Sequence, residues 1–304
     1  MRYNRLDLNL LIALKTLLQE RNVTRAGTNL HVTQSAMSGI LARLREFFDD
    51  PLLVQVGRKT ELTPLAESLV QPINDILIRI DAALATRPHF DASAMRRHVS
   101  IVASDYVQSV LFIDLLRELQ SEAPGLTIEF RQPSPNSPAE LESGDVDFVI
   151  NPESFVSPHH HCEPLFDDTY TIVCDRDNGG YGERIELDAY LDAEHVAFRN
   201  SQRNEPLFET WFARNYPRAR RVEVTTHTFG LLPHMLLGTR RIATMQTRMA
   251  SLYAKHLPIR LIAPSFDTPR LTEAIQWHTS RDADPGTGWL RRKIAEAARG
   301  LPPV

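Results

Sequence analysis

The chain has 304 residues, of which 42% are hydrophobic and 24% are charged, and its formal net charge is −4. This length predicts two or three domains, and this composition excludes a disordered or collagen-like chain. No apolar run reaches the roughly 18–20 residues that a membrane span requires, so we expect no membrane partner.

The start of the chain and its cysteines both indicate the cytoplasm. Asp7 precedes the first apolar run and Lys15 interrupts it, which is typical of an amphipathic helix and not of a secretory signal. The two cysteines, Cys162 and Cys174, are too few for a disulfide framework and fit a reducing compartment.

Positive charge is concentrated near the N-terminus. Residues 1–62 hold nine basic and six acidic side chains, a local balance of +3 in a chain of −4. A basic end on an acidic body favours a DNA-binding head.

Three helices are predicted in the first 48 residues. The first covers residues 6–20, a short second helix follows Thr24 as its N-cap, and a third, capped by Thr33, covers residues 34–48. The third helix has an apolar stripe that we expect to be buried, made of Met37, Ile40, Leu41, Leu44, Phe47 and Phe48.

The opposite side of the third helix carries short side chains and arginines. Ser35, Gly39 and Ala42 lie there, flanked by Ser38 and Arg43. Short side chains allow a helix to enter the major groove deeply, and arginines reach bases or phosphates. A plain three-helix bundle with a polar exterior is the alternative. Residues 52–62 predict a β-hairpin that turns at Gly57-Arg58, which would form a basic wing.

These segments together resemble the LysR-type transcriptional regulators. The motifs that carry the resemblance are Asn9-Leu10-Leu11, Thr33-Gln34-Ser35-Ala36-Met37-Ser38, Leu41-Ala42-Arg43-Leu44-Arg45, Asp50-Pro51-Leu52-Leu53-Val54 and Leu62-Thr63-Pro64-Leu65-Ala66. Gln55 stands near the usual wing arginine, so the wing contact falls to Arg58 or Lys59. We expect DNA contacts from Thr24, Arg25, Thr33, Gln34, Ser35, Ser38, Arg43, Arg45 and Arg58.

A long helix is predicted after the head. Thr63-Pro64 is a strong helix start, and an apolar stripe follows, made of Leu65, Leu69, Ile73, Ile76, Leu77, Ile80 and Leu84. The stripe could pack on the chain's own body. The resemblance implies instead antiparallel pairing with a second subunit, giving a homodimer or homotetramer.

The rest of the chain alternates between strand and helix patterns. Strands are predicted at residues 98–103, 126–131, 147–150, 169–174, 195–199, 221–224, 241–245 and 270–277, and helices at 107–122, 138–143, 206–215, 231–238, 249–256 and 288–298. This predicts an α/β body with mostly parallel strands. The resemblance implies a winged helix-turn-helix at 1–62, a linker helix and hinge at 63–90, and a two-lobed body like that of periplasmic binding proteins at 91–304. Lobe I would comprise 91–166 and 269–304, and lobe II 167–268.

Ligands of such bodies lie at the carboxyl ends of strands and the starts of helices. The residues at these positions include hydroxyls, aromatic rings, an arginine and histidines. We expect effector contacts from Ser104, Tyr106, Asn151, His195, Phe198, Arg199, His227, Phe229 and Gln246. Each could instead serve loop structure or packing, and His195 could equally be a packed strand residue. Such a set suits a small aromatic acid or a phenol.

The C-terminal part resembles one branch of the family. Gln276-Trp277-His278 and Gly288-Trp289-Leu290-Arg291 are similar to regulators of nodulation genes and of naphthalene or salicylate degradation. That branch commonly senses flavonoids or small aromatic acids, which implies the same kind of inducer here.

Other chemistry is not indicated. The run His159-His160-His161-Cys162 is interpreted as a loop without a metal, because consecutive residues cannot all face one ion. No nucleophile or cofactor motif supports an enzyme, and no cofactor is expected. The alternative to a regulator is a solute-binding protein with an unrelated N-terminal extension. A regulator implies promoter DNA, a small-molecule inducer, further copies of the chain and RNA polymerase as partners.

Overall fold

The computed structural model describes Asp7 and residues 9–85, 90–199 and 207–304. Contacts divide the chain into two compact units, Met1–Arg87 with Glu142–Gly144, and Pro88–Leu141 with Asp145–Val304. The expected helix start at residue 6, residues 86–89 of the expected linker and hinge, and the expected helix start at 206 lie outside the described residues. Within the described residues, the helices are all too short or too polar to cross a bilayer.

The N-terminal unit contains three helices, a hairpin and a long helix. These elements are α1 Asn9–Glu20, α2 Val23–Asn29, α3 Gln34–Phe48, β1 Leu53–Val56, β2 Lys59–Leu62 and α4 Pro64–Ala85. The leucines of α1 pack on Met37, Leu41 and Leu44 of α3, as the helical spacing predicts. The first half of α4 joins this core through Ala66 and Ile73.

The starts of α2 and α3 are set by caps. The predicted cap of α3 is present, since the Thr33 hydroxyl accepts a hydrogen bond from the Ala36 amide at 3.2 Å. The predicted cap of α2 is wrong. Asn22 occupies that place and accepts from the Arg25 amide at 3.0 Å, so Thr24 lies inside the first turn. Both residue types are good caps.

The second unit contains two sheets. Its strands are β3 Arg97–Val102, β4 Leu126–Arg131, β5 Phe148–Pro152, β6 His161–Asp168, β7 Tyr170–Asp175, β8 Arg184–Ile185, β9 Glu194–Phe198, β10 Arg221–Thr226, β11 Ile242–Gln246, β12 Ile259–Pro264 and β13 Leu271–Trp277. One sheet has the order β4-β3-β5-β13-β6, and the other has the order β10-β9-β11-β7-β12-β8. The chain passes from the first sheet to the second between Asp168 and Tyr170, and returns between Pro264 and Leu271.

The helices of this unit cover the sheets. They are α5 Asp105–Val107, α6 Ile113–Glu122, α7 Ser137–Glu142, α8 Leu187–Asp192, α9 Leu207–Asn215, α10 Thr247–Ala254 and α11 Pro285–Arg299, and a π-turn, Gln108–Phe112, joins α5 to α6. The sequence did not predict α8, β6, β8 or β12, and the helix expected at 231–238 is instead two short 3-10 turns, Phe229–Leu231 and Pro233–Leu236. The run at residues 159–162 is only partly a loop, since β6 begins at His161.

The expectation of mostly parallel strands is confirmed, and one strand in each sheet is reversed. Both sheets are mixed, because β13 is antiparallel to β5 and β6, and β7 is antiparallel to β11 and β12. Each of these two strands is the first after the chain crosses from one sheet to the other. It therefore enters its sheet from the end opposite to the one at which the neighbouring strands begin. This reversal decides which residues meet at the site.

Candidate functional site

The exposed face of α3 carries the predicted DNA-facing residues. Gln34, Ser35, Ser38 and Arg43 are all exposed, while Met37, Leu41 and Leu44 on the other side are buried. The Thr33 and Ser35 hydroxyls lie 3.0 Å apart at the start of this helix. Arg43 forms no ion pair with any residue that the structure describes. This face of α3 therefore carries short polar side chains, is exposed, and includes one cation, the Arg43 guanidinium.

The remaining basic residues of the head have different roles. The Arg45 guanidinium donates to the carbonyl oxygens of Pro51 and Leu53, at 2.8 and 3.2 Å, and so holds the wing against α3. Arg25 is exposed and pairs with Glu20, Nε to Oε2, at 3.0 Å. Such a surface pair is weak and can exchange for a phosphate, whereas the contacts of Arg45 are structural.

The wing has the turn that its sequence predicts. In the β1–β2 hairpin Val56 pairs with Lys59, so Gly57 and Arg58 form a two-residue turn. Gly57 has φ of +63°, which glycine adopts without strain and which matches the twist of such hairpins. Arg58 is left exposed at the tip.

A cavity of about 300 Å³ lies between the two sheets of the second unit. Its lining includes seven of the nine predicted effector residues: Ser104, Tyr106, Asn151, Phe198, His227, Phe229 and Gln246. Its volume lies at the lower end of the usual range for small-molecule pockets.

Aromatic rings form one wall of this cavity. Phe198 and Phe229 are stacked, with ring centroids 3.9 Å apart and planes 4° from parallel. Tyr106 meets Phe229 edge to face at 6.4 Å. Rings in these arrangements present a flat apolar surface that suits another ring.

The polar groups of the cavity are partly engaged by the protein. The Ser104 hydroxyl caps α5 by accepting from the Val107 amide at 3.3 Å, and His227 Nδ1 is hydrogen-bonded to the Arg199 carbonyl oxygen. Gln246 is buried, and its Oε1 has no hydrogen-bond partner among the described residues. The Tyr106 hydroxyl donates to Asp168 Oδ2 at 2.7 Å, so its hydrogen is not available to a ligand.

His195 and Arg199 do not line the cavity. His195 is fully buried, with Nε2 2.7 Å from the Tyr190 carbonyl oxygen, and burial together with the Arg220 charge lowers its pKa to about 4. It lies near the amino end of β9, whereas ligands gather at carboxyl ends, so the expectation of an effector contact is wrong. The backbone amide of Arg199 donates a hydrogen bond to the Thr226 carbonyl oxygen at 2.9 Å.

Several lining residues escaped the sequence prediction. Tyr170, Thr244, Phe208, Glu209 and Glu273 also line the cavity. Tyr170 pairs with Gln246, and Glu273 pairs with Pro152, so residues near the start of an antiparallel strand lie beside the last residues of the neighbouring strand. A search of the carboxyl ends of strands cannot find Tyr170 and Glu273, because it presumes that all strands run the same way.

The histidine run is divided by the fold. His160 is buried with its ring 4.8 Å from that of His278, while His161 begins β6 at the surface. The run therefore does not act as one cluster.

A winged helix-turn-helix followed by a long helix and a two-lobed body with an apolar cavity defines a ligand-responsive DNA-binding protein. Two protein-family models match the chain. The family described as bacterial regulatory helix-turn-helix protein, lysR family, matches residues 8–67, and the LysR substrate binding domain matches residues 92–299. The chain belongs to the LysR family of bacterial transcriptional regulators, and it is not an enzyme. The match of the head excludes a solute-binding protein with an unrelated extension.

Curated relatives are similar to this chain in sequence along nearly its whole length. It is 36% identical to nodulation protein D 1 of Bradyrhizobium sp. (strain NC92), covering 99% of this chain and 96% of that protein. It is 37% identical to nodulation protein D 3 of Mesorhizobium japonicum, covering 98% and 100%.

Solved structures share the fold. Full-length OxyR from Pseudomonas aeruginosa has a TM-score of 0.69 at 18% identity, covering 97% of this chain and 95% of that one. Full-length CbnR complexed with its target DNA has a TM-score of 0.52 at 14% identity, covering 96% and 100%.

Proposed function

We propose that this regulator responds to a small aromatic inducer bound in the cavity between its two lobes. The observation that carries the proposal is the stacked pair Phe198 and Phe229 facing a few polar groups, chiefly Ser104, His227 and Gln246. A mainly apolar pocket with a few convergent polar groups is typical of small-molecule sites. The relatives named for nodulation support a regulator of the same branch.

The inducer acts by differential affinity. It shifts an existing equilibrium between shapes of the dimer or tetramer, and the shift cannot exceed the difference in its affinity for the two shapes. The heads, at residues 1–62, would change their spacing on promoter DNA as the bodies, at 91–304, change shape. We propose that Thr24, Arg25, Thr33, Gln34, Ser35, Ser38, Arg43 and Arg58 face the DNA. The guanidinium of Arg45, also expected from the sequence to contact DNA, is instead hydrogen-bonded to the wing.

Loss of the Phe229 ring should weaken inducer binding. An inducer is first found by a thermal-shift screen of aromatic acids and phenols on the full chain, and its affinity is then measured by isothermal titration. Phe229→Ala should reduce affinity by about tenfold, since an aromatic pair contributes about 0.5–1.5 kcal/mol beyond area burial. Phe90→Ala, which removes a ring outside the cavity, is the control. Equal affinity of the inducer for the wild type, Phe229→Ala and Phe90→Ala would mean that the inducer binds outside this cavity.

Loss of the Arg43 side chain should weaken DNA binding. Arg43→Ala should cost about 1–3 kcal/mol of specific binding if the arginine reads a base, or reduce the salt slope by about one if it meets a phosphate. Gel shifts with the DNA upstream of the protein's own gene, at several salt concentrations, measure both effects. Arg214→Ala changes the net charge equally but at an exposed site on α9. Affinity and salt slope that match those of Arg214→Ala would show that this face does not touch DNA.

A further inference from the structure

Glu273 is a buried carboxyl in the wall of the cavity. Glu273 is only 3% exposed. It is the third residue of β13 and lies beside the end of β5. Its Oε2 has no hydrogen-bond partner among the described residues. A buried polar group without a partner is rare and needs an explanation, such as a bound ligand.

Within the part of the chain that the structure describes, no basic group pairs with this carboxyl. Among the described residues that line the cavity, none is a lysine or an arginine. The other acid of the lining, Glu209, is already held by the Arg220 guanidinium. The Tyr106 hydroxyl, which could have donated to Glu273, donates to Asp168 instead. An unpaired buried carboxylate is very unfavourable, so the group is neutral and has an O–H to donate.

We propose that the effector is an uncharged aromatic molecule with a hydrogen-bond acceptor, and that Glu273 binds this acceptor as a protonated carboxyl. The inference rests on the proposed function and narrows it. A carboxylate ligand would bring a further charge into a cavity where His227 is the sole described lining group able to carry positive charge, and burying a charge without a partner is costly. An ester, ketone or similar acceptor satisfies Glu273, while the stacked phenylalanines cover the ring.

The groups around Glu273 support a neutral carboxyl. Burial and the charge of Asp168, on β6, raise the pKa of Glu273 to about 8. Tyr106 on α5 and Tyr170 on β7 also face it, and the pKa of each is raised above its ordinary value by burial first and by these acids second. Burial raises the pKa of Asp168 as well, but the hydrogen bonds that it accepts from the Tyr106 hydroxyl and from the Thr169 and Arg248 amides oppose that rise. Glu273 Oε2 accepts no such hydrogen bond from the described residues, so Glu273 is the acid of this pair that stays neutral.

The first test compares three probes of one shape. Methyl cinnamate is a neutral ester with a carbonyl acceptor, cinnamate is the anion of the corresponding acid, and cinnamylamine is a cation near neutral pH. Isothermal titration of the full chain near pH 7 should give methyl cinnamate an affinity at least about tenfold above either other probe, a difference of about 1.4 kcal/mol.

The second test removes the proton or the donor. Raising the pH from 7 to 9 should weaken methyl cinnamate binding by about tenfold, because the protonated fraction of Glu273 falls by about that factor. E273Q keeps a neutral donor, so it should bind the ester at pH 7 and lose the pH dependence. E273L removes the donor and should weaken binding at both pH values. Thermal unfolding of each variant shows whether it is folded.

The outcomes separate this inference from the proposed function. Tighter binding of cinnamate or of cinnamylamine would overturn the inference and leave an aromatic-sensing cavity in place. A pH dependence that persists in folded E273Q would overturn the role of Glu273. If none of the probes binds at millimolar concentration, the cavity does not accept small aromatics, and the proposed function fails together with the inference.

Discussion

Replacing Arg220 with alanine should lower the free energy of unfolding of the second unit by about 3–5 kcal/mol, the usual effect of breaking a buried ion pair. The Arg220 side chain is only 5% exposed. It pairs with Glu209, donates to the Tyr190 hydroxyl at 2.9 Å, and lies over the Phe212 ring at 5.0 Å. Removing it leaves the Glu209 carboxylate half-buried without its counter-ion.

Urea unfolding followed by fluorescence measures this change. Arg218→Ala is the matched control, since Arg218 pairs with Asp192 at the surface, where an ion pair contributes only about 0–1 kcal/mol. The double variant Arg220→Met/Glu209→Leu should recover part of the loss, because no buried charge remains. A loss in Arg220→Ala no greater than that in Arg218→Ala would mean that the pair does not stabilise this unit.

Placing a charge at Ile76 should convert the assembled protein to monomers. Leu65 and Ile76 of α4 are 37% and 43% exposed, although both are large and apolar. Eleven residues, about three helical turns, separate them, so they share one face, while Ala66 and Ile73 on another face pack on the head. An exposed apolar stripe on a long helix favours pairing with a second copy, which is the partner we propose.

Sedimentation at micromolar concentration tests this expectation. Ile76→Asp should sediment as a monomer with an unchanged circular dichroism spectrum, and its DNA affinity should fall because two heads no longer share one site. Gln71→Asp adds the same charge on the same helix at an exposed polar position and should remain assembled. Wild-type protein that sediments as a monomer, or an Ile76→Asp variant that stays assembled, would contradict the assignment of α4.

The head could be predicted from the sequence because its signals are local. Thr33 caps α3, the apolar residues of α3 recur at helical spacing, and Gly57 stands where a two-residue hairpin turn needs a positive φ. Each signal acts within a few residues. Where two caps were available, Thr24 and Asn22, local preference could not decide, and the structure uses Asn22.

The cavity depended on the tertiary structure. The sequence indicated Ser104, Phe198 and Phe229 because they follow parallel strands or begin helical turns, and they line the cavity. His195 instead packs inside β9, which was the alternative interpretation of that residue. The sequence missed Tyr170 and Glu273, which lie near the starts of antiparallel strands. Strand direction within a mixed sheet is set by where the chain crosses between the lobes. That crossing is a long-range property of packing, and no local pattern of residues records it.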